Sequence, residues 1–201
     1  MGYSQSSLAV HRKSPDAVLA ALALRPTGDR EDFPESPFVS TVLPCGWFLV
    51  VVAGAEHDII SDTTMRQLST DCEVVTCSVE EHVMVSEARG WRDGQLVWRI
   101  VHDSNRSIED LQTEGELPPA FGAIRDLLST QQRTAGGKKS DVDYIFDVPV
   151  ELAKSFSNYR HDMDIPGIAS DSFDVLESLR PPASNRGTPK KKSFLQRLFA
   201  K

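Results

Sequence analysis

No run in this sequence approaches the roughly eighteen consecutive apolar residues that a membrane-spanning helix needs. The longest apolar stretch, Trp47 to Ala53, is far too short. Cysteine is scarce as well. Cys45, Cys72 and Cys77 are an odd set without a Cys-x-x-Cys pair, which excludes a closed disulfide framework and the usual structural zinc spacing. The N-terminus lacks a basic segment followed by an apolar one, so no secretory signal is expected, and the simplest address is the cytoplasm, with reduced thiols. Gly2 and Ser6 satisfy the short myristoylation pattern, but the residues after them read as the start of a strand. A Walker loop, a dinucleotide fingerprint and a Gly-x-Ser-x-Gly elbow are all missing. No cofactor is expected, and the residues carry the motif of no characterised family.

The C-terminus combines a lack of acid with a concentration of base. Of the 22 basic residues, six (Arg186, Lys190, Lys191, Lys192, Arg197, Lys201) lie in the last sixteen positions, where there is no Asp or Glu. The remaining 16 face all 29 acids, so the body carries −13 and the tail +6. Such a body repels nucleic acid and anionic lipid, whereas the tail is drawn to them or to an acidic protein surface. Otherwise the 201 residues, 40% hydrophobic and 25% charged, fall in the ordinary globular range.

Periodicity then organises the body. Ser6 to His11 reads as a first strand, and Ser14 caps a helix from Pro15 to Leu24, with proline at its first position and Asp16 complementing its dipole. Arg25 to Gly28 ends that helix, and residues 29–37 are expected to be an acidic, proline-punctuated loop. Phe38 to Leu43 is an alternating strand, and the valine-rich Trp47 to Ala53 a strand buried on both faces. Ser61 or Asp62 caps a short helix carrying Met65 and Leu68. Glu73 to Glu87 and Gln95 to Asp103 are read as two long strands joined through Asp93-Gly94, a strong hairpin signal. Residues 104–117 look like a surface connection.

A helix follows Pro118-Pro119, with Phe121, Ile124, Leu127 and Leu128 as its stripe. Val142 to Phe146 suggests an edge strand. Asp147 is read as the cap of another helix, in which Leu152 and Phe156 face inward. Phe173, Val175, Leu176 and Leu179 suggest a last short helix. The expectation is one α+β domain over residues 1–179, a mostly antiparallel sheet of five or six strands with three or four helices. A Pro/Gly/Lys linker spans 180–192, and a short basic amphipathic tail spans 193–201.

Imidazole next to carboxylate is the ligand chemistry of zinc, iron and manganese. His57-Asp58, His102-Asp103 and His161-Asp162, with Asp164 and His82, are therefore the metal candidates, although solvated or capping roles explain such pairs more simply. The hairpin register bears on this. A two-residue turn places His102 opposite Val85, and a three-residue turn with a glycine bulge puts His82 and His102 on one face. Glu80, Glu81 and Glu87 read as solvated-face glutamates, Cys45 as a buried free thiol and Arg89 as stacking near Trp98.

In the tail, Phe194, Leu195, Leu198 and Phe199 share one helical face flanked by Lys190, Lys191, Lys192 and Arg197, a pattern suited to docking or to a clasp on the acidic body. The leading functional expectation is a non-enzymatic protein that binds a basic protein partner, in the manner of an inhibitor or immunity protein. A metal-dependent hydrolase using the His/Asp set is the alternative. A domain docked to a complex, or weakly to a membrane surface, through its tail is the third; nucleic acid is not an expected partner.

Overall fold

A computed structural model describes residues 2–55 and 57–180. Most of linker 180–192 and all of tail 193–201, with the docking candidates Lys190, Lys191, Lys192, Phe194, Leu195, Arg197, Leu198 and Phe199, lie outside the described residues.

The α+β class holds, but the sheet is larger than expected. Among the described residues, nine strands pair antiparallel throughout: β1 (Ser4–His11), β2 (Leu24–Glu31), β3 (Phe38–Val42), β4 (Phe48–Ala53), β5 (Glu73–Glu80), β6 (Val85–Arg92), β7 (Gln95–Asp103), β8 (Gln112–Gly115) and β9 (Phe173–Ser178). Their spatial order is β2-β9-β3-β4-β1-β5-β6-β7-β8. Helices α1 (Pro15–Leu22) and α2 (Asp62–Leu68) cover one face, while α3 (Ala120–Thr134) and α4 (Asp147–Ser157) cover the other.

The alternation of β4 shows how the two cores arise. Phe48, Val50 and Val52 join Val18, Leu22, Met65 and Leu68 on the α1/α2 side. Leu49 and Val51 join Phe121, Leu128, Val148 and Leu152 on the α3/α4 side. Each fully buried aliphatic side chain contributes about 1.5–3 kcal/mol, so a strand apolar on both faces holds two layers at once. Helix α1 begins as its sequence dictates: the Ser14 hydroxyl accepts from Ala17 N at 3.4 Å, and Pro15 occupies the first turn.

The extra strands come from segments that local pattern misreads. Leu24–Glu31, expected as a helix end and a loop, is edge strand β2, and its pairing with β9 shifts between Pro26 and Arg30. An edge tolerates the missing donor of Pro26. Phe173–Ser178, expected as a helix, is β9. Phe173 belongs to the α3/α4 core and Leu176 to the α1/α2 core, as strand alternation requires; a helix would put residues three apart on one side. The expected long strand Glu73–Glu87 is broken by a turn at residues 81–84, where Met84 has φ +51°, and β8 appears inside the expected surface connection. Val142 to Phe146 is no strand. Leu127 points away from the core, 61% exposed.

The β6–β7 hairpin starts in the expected two-residue register, with Arg92 facing Gln95 and Trp91 facing Leu96, and then leaves it. Asp93 (φ +49°) and Gly94 (φ +75°) form a two-residue turn of the kind that needs positive φ at both positions. Between Gly90 and Trp91 the pairing then slips, and beyond the bulge His102 faces Ser86 while Asp103 faces Val85. Among the described residues, no helix is long and apolar enough to cross a membrane.

Candidate functional site

The histidine–aspartate pairs are dispersed, each with its own partners. His57 Nδ1 accepts from Ile59 N at 3.2 Å and caps the short 3₁₀ turn Asp58–Ile60. His82 lies in the turn after β5, its Nδ1 2.7 Å from Glu80 Oε1. His102 is fully buried, with Nδ1 2.7 Å from the Asp110 carbonyl oxygen and Nε2 2.9 Å from Asp143 Oδ2. The other oxygen of Asp143 accepts from Ile145 N and Phe146 N, at 3.1 Å each, so His102 ties β7 to the start of α4. Asp147 is the first residue of α4 rather than its cap; the N-cap position is Phe146, with no side-chain cap bond, and Asp143 closes the turn before it. Asp103 Oδ1 accepts from Asn105 N and Nδ2, while its buried Oδ2 has no hydrogen-bond partner. His161 Nε2 stands 3.1 Å from Glu81 Oε1. Among the described residues, no three His, Cys, Asp or Glu side chains converge where a metal ion would need them.

Three other side chains differ from expectation. Glu87 is 3% exposed and lies between Arg89 and Arg99. Arg89, next to Gly90 on β6, points away from the Trp98 side and also reaches Asp62 Oδ1 at 2.6 Å. Cys45 is exposed, its Sγ donating to the Ser157 carbonyl at 3.3 Å.

His161, Asp162 and Asp164 do share one place. They line a cleft of about 550 Å³ together with Tyr3, Asp32, Phe33, Tyr159, Arg160, Met163, Ile165, Ile168 and Phe173. Its walls come from the residue before β1, the loop from β2 to β3, and the segment between α4 and β9. Antiparallel pairing of β2 and β3 with the β9 between them makes β2 and β3 parallel, so residues 32–37 must cross over β9 and reach this side. The crossing is pinned where Asp171 N donates to Asp32 Oδ1 at 2.7 Å. Tyr159 Oη donates to Gln5 Oε1 at 2.7 Å and anchors the other wall to β1. Buried Ile165 and Phe173 form the floor.

Arg160 organises the electrostatics. Its guanidinium donates to Asp162 Oδ1 and Oδ2 (2.6 and 3.1 Å), Glu151 Oε1 (2.7 Å) and Asp147 Oδ1 (2.9 Å). Burial alone would lower its pKa, but these carboxylates raise it further. Burial opposes the charge of Asp162, yet hydrogen bonds from Arg160 hold that carboxyl below its usual range. At Asp147 burial prevails over Arg160 and pushes the carboxyl up. With its donors spread over three carboxylates, Arg160 has little left for an incoming anion. Asp164 is exposed and pairs with no cation among the described residues. The cleft therefore presents a surplus of negative charge.

Its rim is apolar. Tyr3, Phe33 and Met163 are 48%, 60% and 53% exposed, large hydrophobic side chains left in water around one cavity. The Tyr3 ring meets His161 edge-on at 5.1 Å, and Glu81 holds both, accepting from Tyr3 N at 2.9 Å. Aromatic faces, a polarizable thioether and nearby carboxylates together suit a cationic group carried on an apolar stem.

No protein-family model, no curated protein and no solved structure matches the chain at a significant level.

Sequence reasoning found the His161–Asp164 wall, although for metal chemistry, and missed Tyr3, Asp32, Phe33 and Met163. These four are scattered over the first 33 residues and position 163. A lone exposed aromatic has no periodic signature, and only the crossing of residues 32–37 over β9 brings them together.

Proposed function

We propose that this chain is a non-enzymatic binding protein that receives a basic segment of another protein in the Tyr3–Phe33–Met163 cleft, as an inhibitor or immunity-type protein neutralises a basic partner in the cytoplasm. The observation that carries this reading is the coincidence, around one cavity, of three exposed large apolar side chains with Asp32, Asp162 and Asp164. Apolar anchors supply affinity in the desolvated centre of an interface. The carboxylates among those anchors, on a body of −13 (16 basic against 29 acidic residues), steer basic partners in and reject acidic ones.

The test is affinity capture from native host lysate with the full chain, followed by kinetics on the recovered protein. The expected partner is basic, its association rate falls steeply between low and high salt, and Phe33→Ala/Met163→Ala weakens binding at least about tenfold, the effect of losing roughly 1.4 kcal/mol of anchor contacts. Asp164→Asn should lower the association rate while leaving dissociation nearly unchanged. A partner that binds both variants as it binds the parent, or with a rate indifferent to ionic strength, would overturn the reading.

A further inference from the structure

The cleft is matched by a segment of the same chain. Described structure runs through β9 to Arg180, and Leu179 N donates to the Ala23 carbonyl at 2.8 Å, fixing where the remaining residues depart. Phe173, at the opposite end of that six-residue strand, lies in the cleft floor. A strand of this length spans about 20 Å. The residues between Arg180 and Phe194 number thirteen, and fully extended they reach about 45 Å. The chain beyond Arg180 is therefore long enough to return over β9 and present its last nine residues to the cleft.

The chemistry agrees in both of its parts. The cleft offers an apolar rim of Tyr3, Phe33 and Met163 inside a carboxylate surplus. The sequence Lys190-Lys-Lys-Ser-Phe-Leu-Gln-Arg-Leu-Phe-Ala-Lys201 offers Phe194, Leu195, Leu198 and Phe199 among five cations and no acid. Tethering raises the local concentration of such a segment to about the millimolar range, so even weak contacts hold it in place.

We propose that Ser193–Lys201 is the resident occupant of the cleft, an internal stand-in that an external basic partner must displace. This rests on the reading of the cleft as a site for basic, apolar segments. It adds a regulatory consequence: the free protein is self-blocked, and anything that draws the tail away opens the site.

The experiment uses the full chain carrying Lys201→Cys and Cys45→Ser, with a nitroxide at position 201 and amide relaxation read by NMR. Serine at position 45 keeps a donor for the Ser157 carbonyl. The expected result is selective broadening at Tyr3, Phe33, Met163 and Ile168, abolished by adding Phe194→Ser/Phe199→Ser and weakened by salt. Broadening confined to another surface, or none above that of free nitroxide, overturns the proposal. In a parallel measurement, Phe194→Ser/Phe199→Ser in the full chain should bind the external partner several-fold tighter, because the competitor is gone. Unchanged or weaker binding also counts against internal occupancy. If occupancy fails while Phe33→Ala/Met163→Ala still weakens partner binding, the cleft reading survives alone. If the tail broadens the cleft signals but no partner depends on the cleft, the tail is a permanent clasp and the binding function falls.

Discussion

The indole of Trp98 lies directly against the backbone of Gly90, its partner across the β6–β7 pair. A Cβ at position 90 would meet Trp98 Nε1 at 2.0 Å and Cε2 at 2.3 Å. Gly90 is glycine here for close approach. Trp98 is 5% exposed and stacks on Phe156 of α4 at 5.9 Å, so it carries the contact between the hairpin and the helix layer.

Gly90→Ala should therefore displace Trp98 and loosen α4. Overpacking of this kind costs about 1–3 kcal/mol. Urea unfolding followed by tryptophan emission measures it, and the native emission should itself shift to the red. A cost below about 0.5 kcal/mol, within the range of neutral surface substitutions, would show that the indole relaxes freely and does not hold the layers together.

Glu87 gives a second prediction. It is buried between two guanidiniums, with Oε2 accepting from Arg89 at 2.9 Å and Oε1 from Arg99. Removing the carboxylate strands Arg89, whose side chain is 14% exposed and whose Nε already lacks a partner. Glu87→Ala should cost about 3 kcal/mol, the low end for breaking a buried pair, because Arg99 can turn toward water. Glu87→Leu combined with Arg89→Met should cost clearly less than the sum of the single changes. Additive losses in that double-mutant cycle would mean the pair is not coupled.

Acid sensitivity follows from the direction of three shifts. Burial opposes the charge of Glu80, but the Ser4 and His82 hydrogen bonds lower its carboxyl, and Arg160 lowers that of Asp162. A depressed folded pKa contributes stability above the unfolded value, about 4 for a carboxyl, and that stability is lost as pH falls through the lowered folded value. Asp147, raised by burial, works the other way and softens the loss. Asp162→Asn should flatten the stability profile between about pH 4 and pH 2, whereas Asp147→Asn should steepen the profile just above about pH 4, where its raised carboxyl takes up a proton in the folded state first. Identical acid-limb slopes in parent and Asp162→Asn chains would refute the assignment.

Thiol reactivity separates the three cysteines. Burial pushes Cys77 up to about 12 and raises Cys72 as well, so neither offers appreciable thiolate near neutrality. Cys45 is exposed. Brief alkylation of native protein at pH 8 should modify Cys45 alone by peptide mass, and all three after urea. Rapid native labelling of Cys77 would reveal opening of the sheet face beneath α4.

Much of the fold was legible where local chemistry is strong. The Ser14-Pro15 start of α1, the Ser61 cap of α2, the apolar β4 and the Asp93-Gly94 turn all act within a few residues of themselves. The misread segments are those decided from far away. Leu24–Glu31 is polar and contains Pro26, with nothing local to favour a strand; it becomes one because β9, some 150 residues later, supplies its hydrogen-bond partners. His102 looked like half of a ligand pair because no spacing rule points from position 102 to Asp143, whose carboxylate claims it.

The sequence by itself determined the charge division, the apolar alternation that demands two cores, and the local starts of helices and turns, since these depend on side chains a turn or a strand step apart. Tertiary structure alone decided the nine-strand order, the slipped hairpin register, and the meeting of Tyr3, Asp32 and Phe33 with the 159–170 wall. The physical reason is the same in each case. Backbone donors and acceptors must be satisfied by whichever strand arrives beside them, and a site built from crossing loops exists only after those long-range pairings have set the paths of the loops.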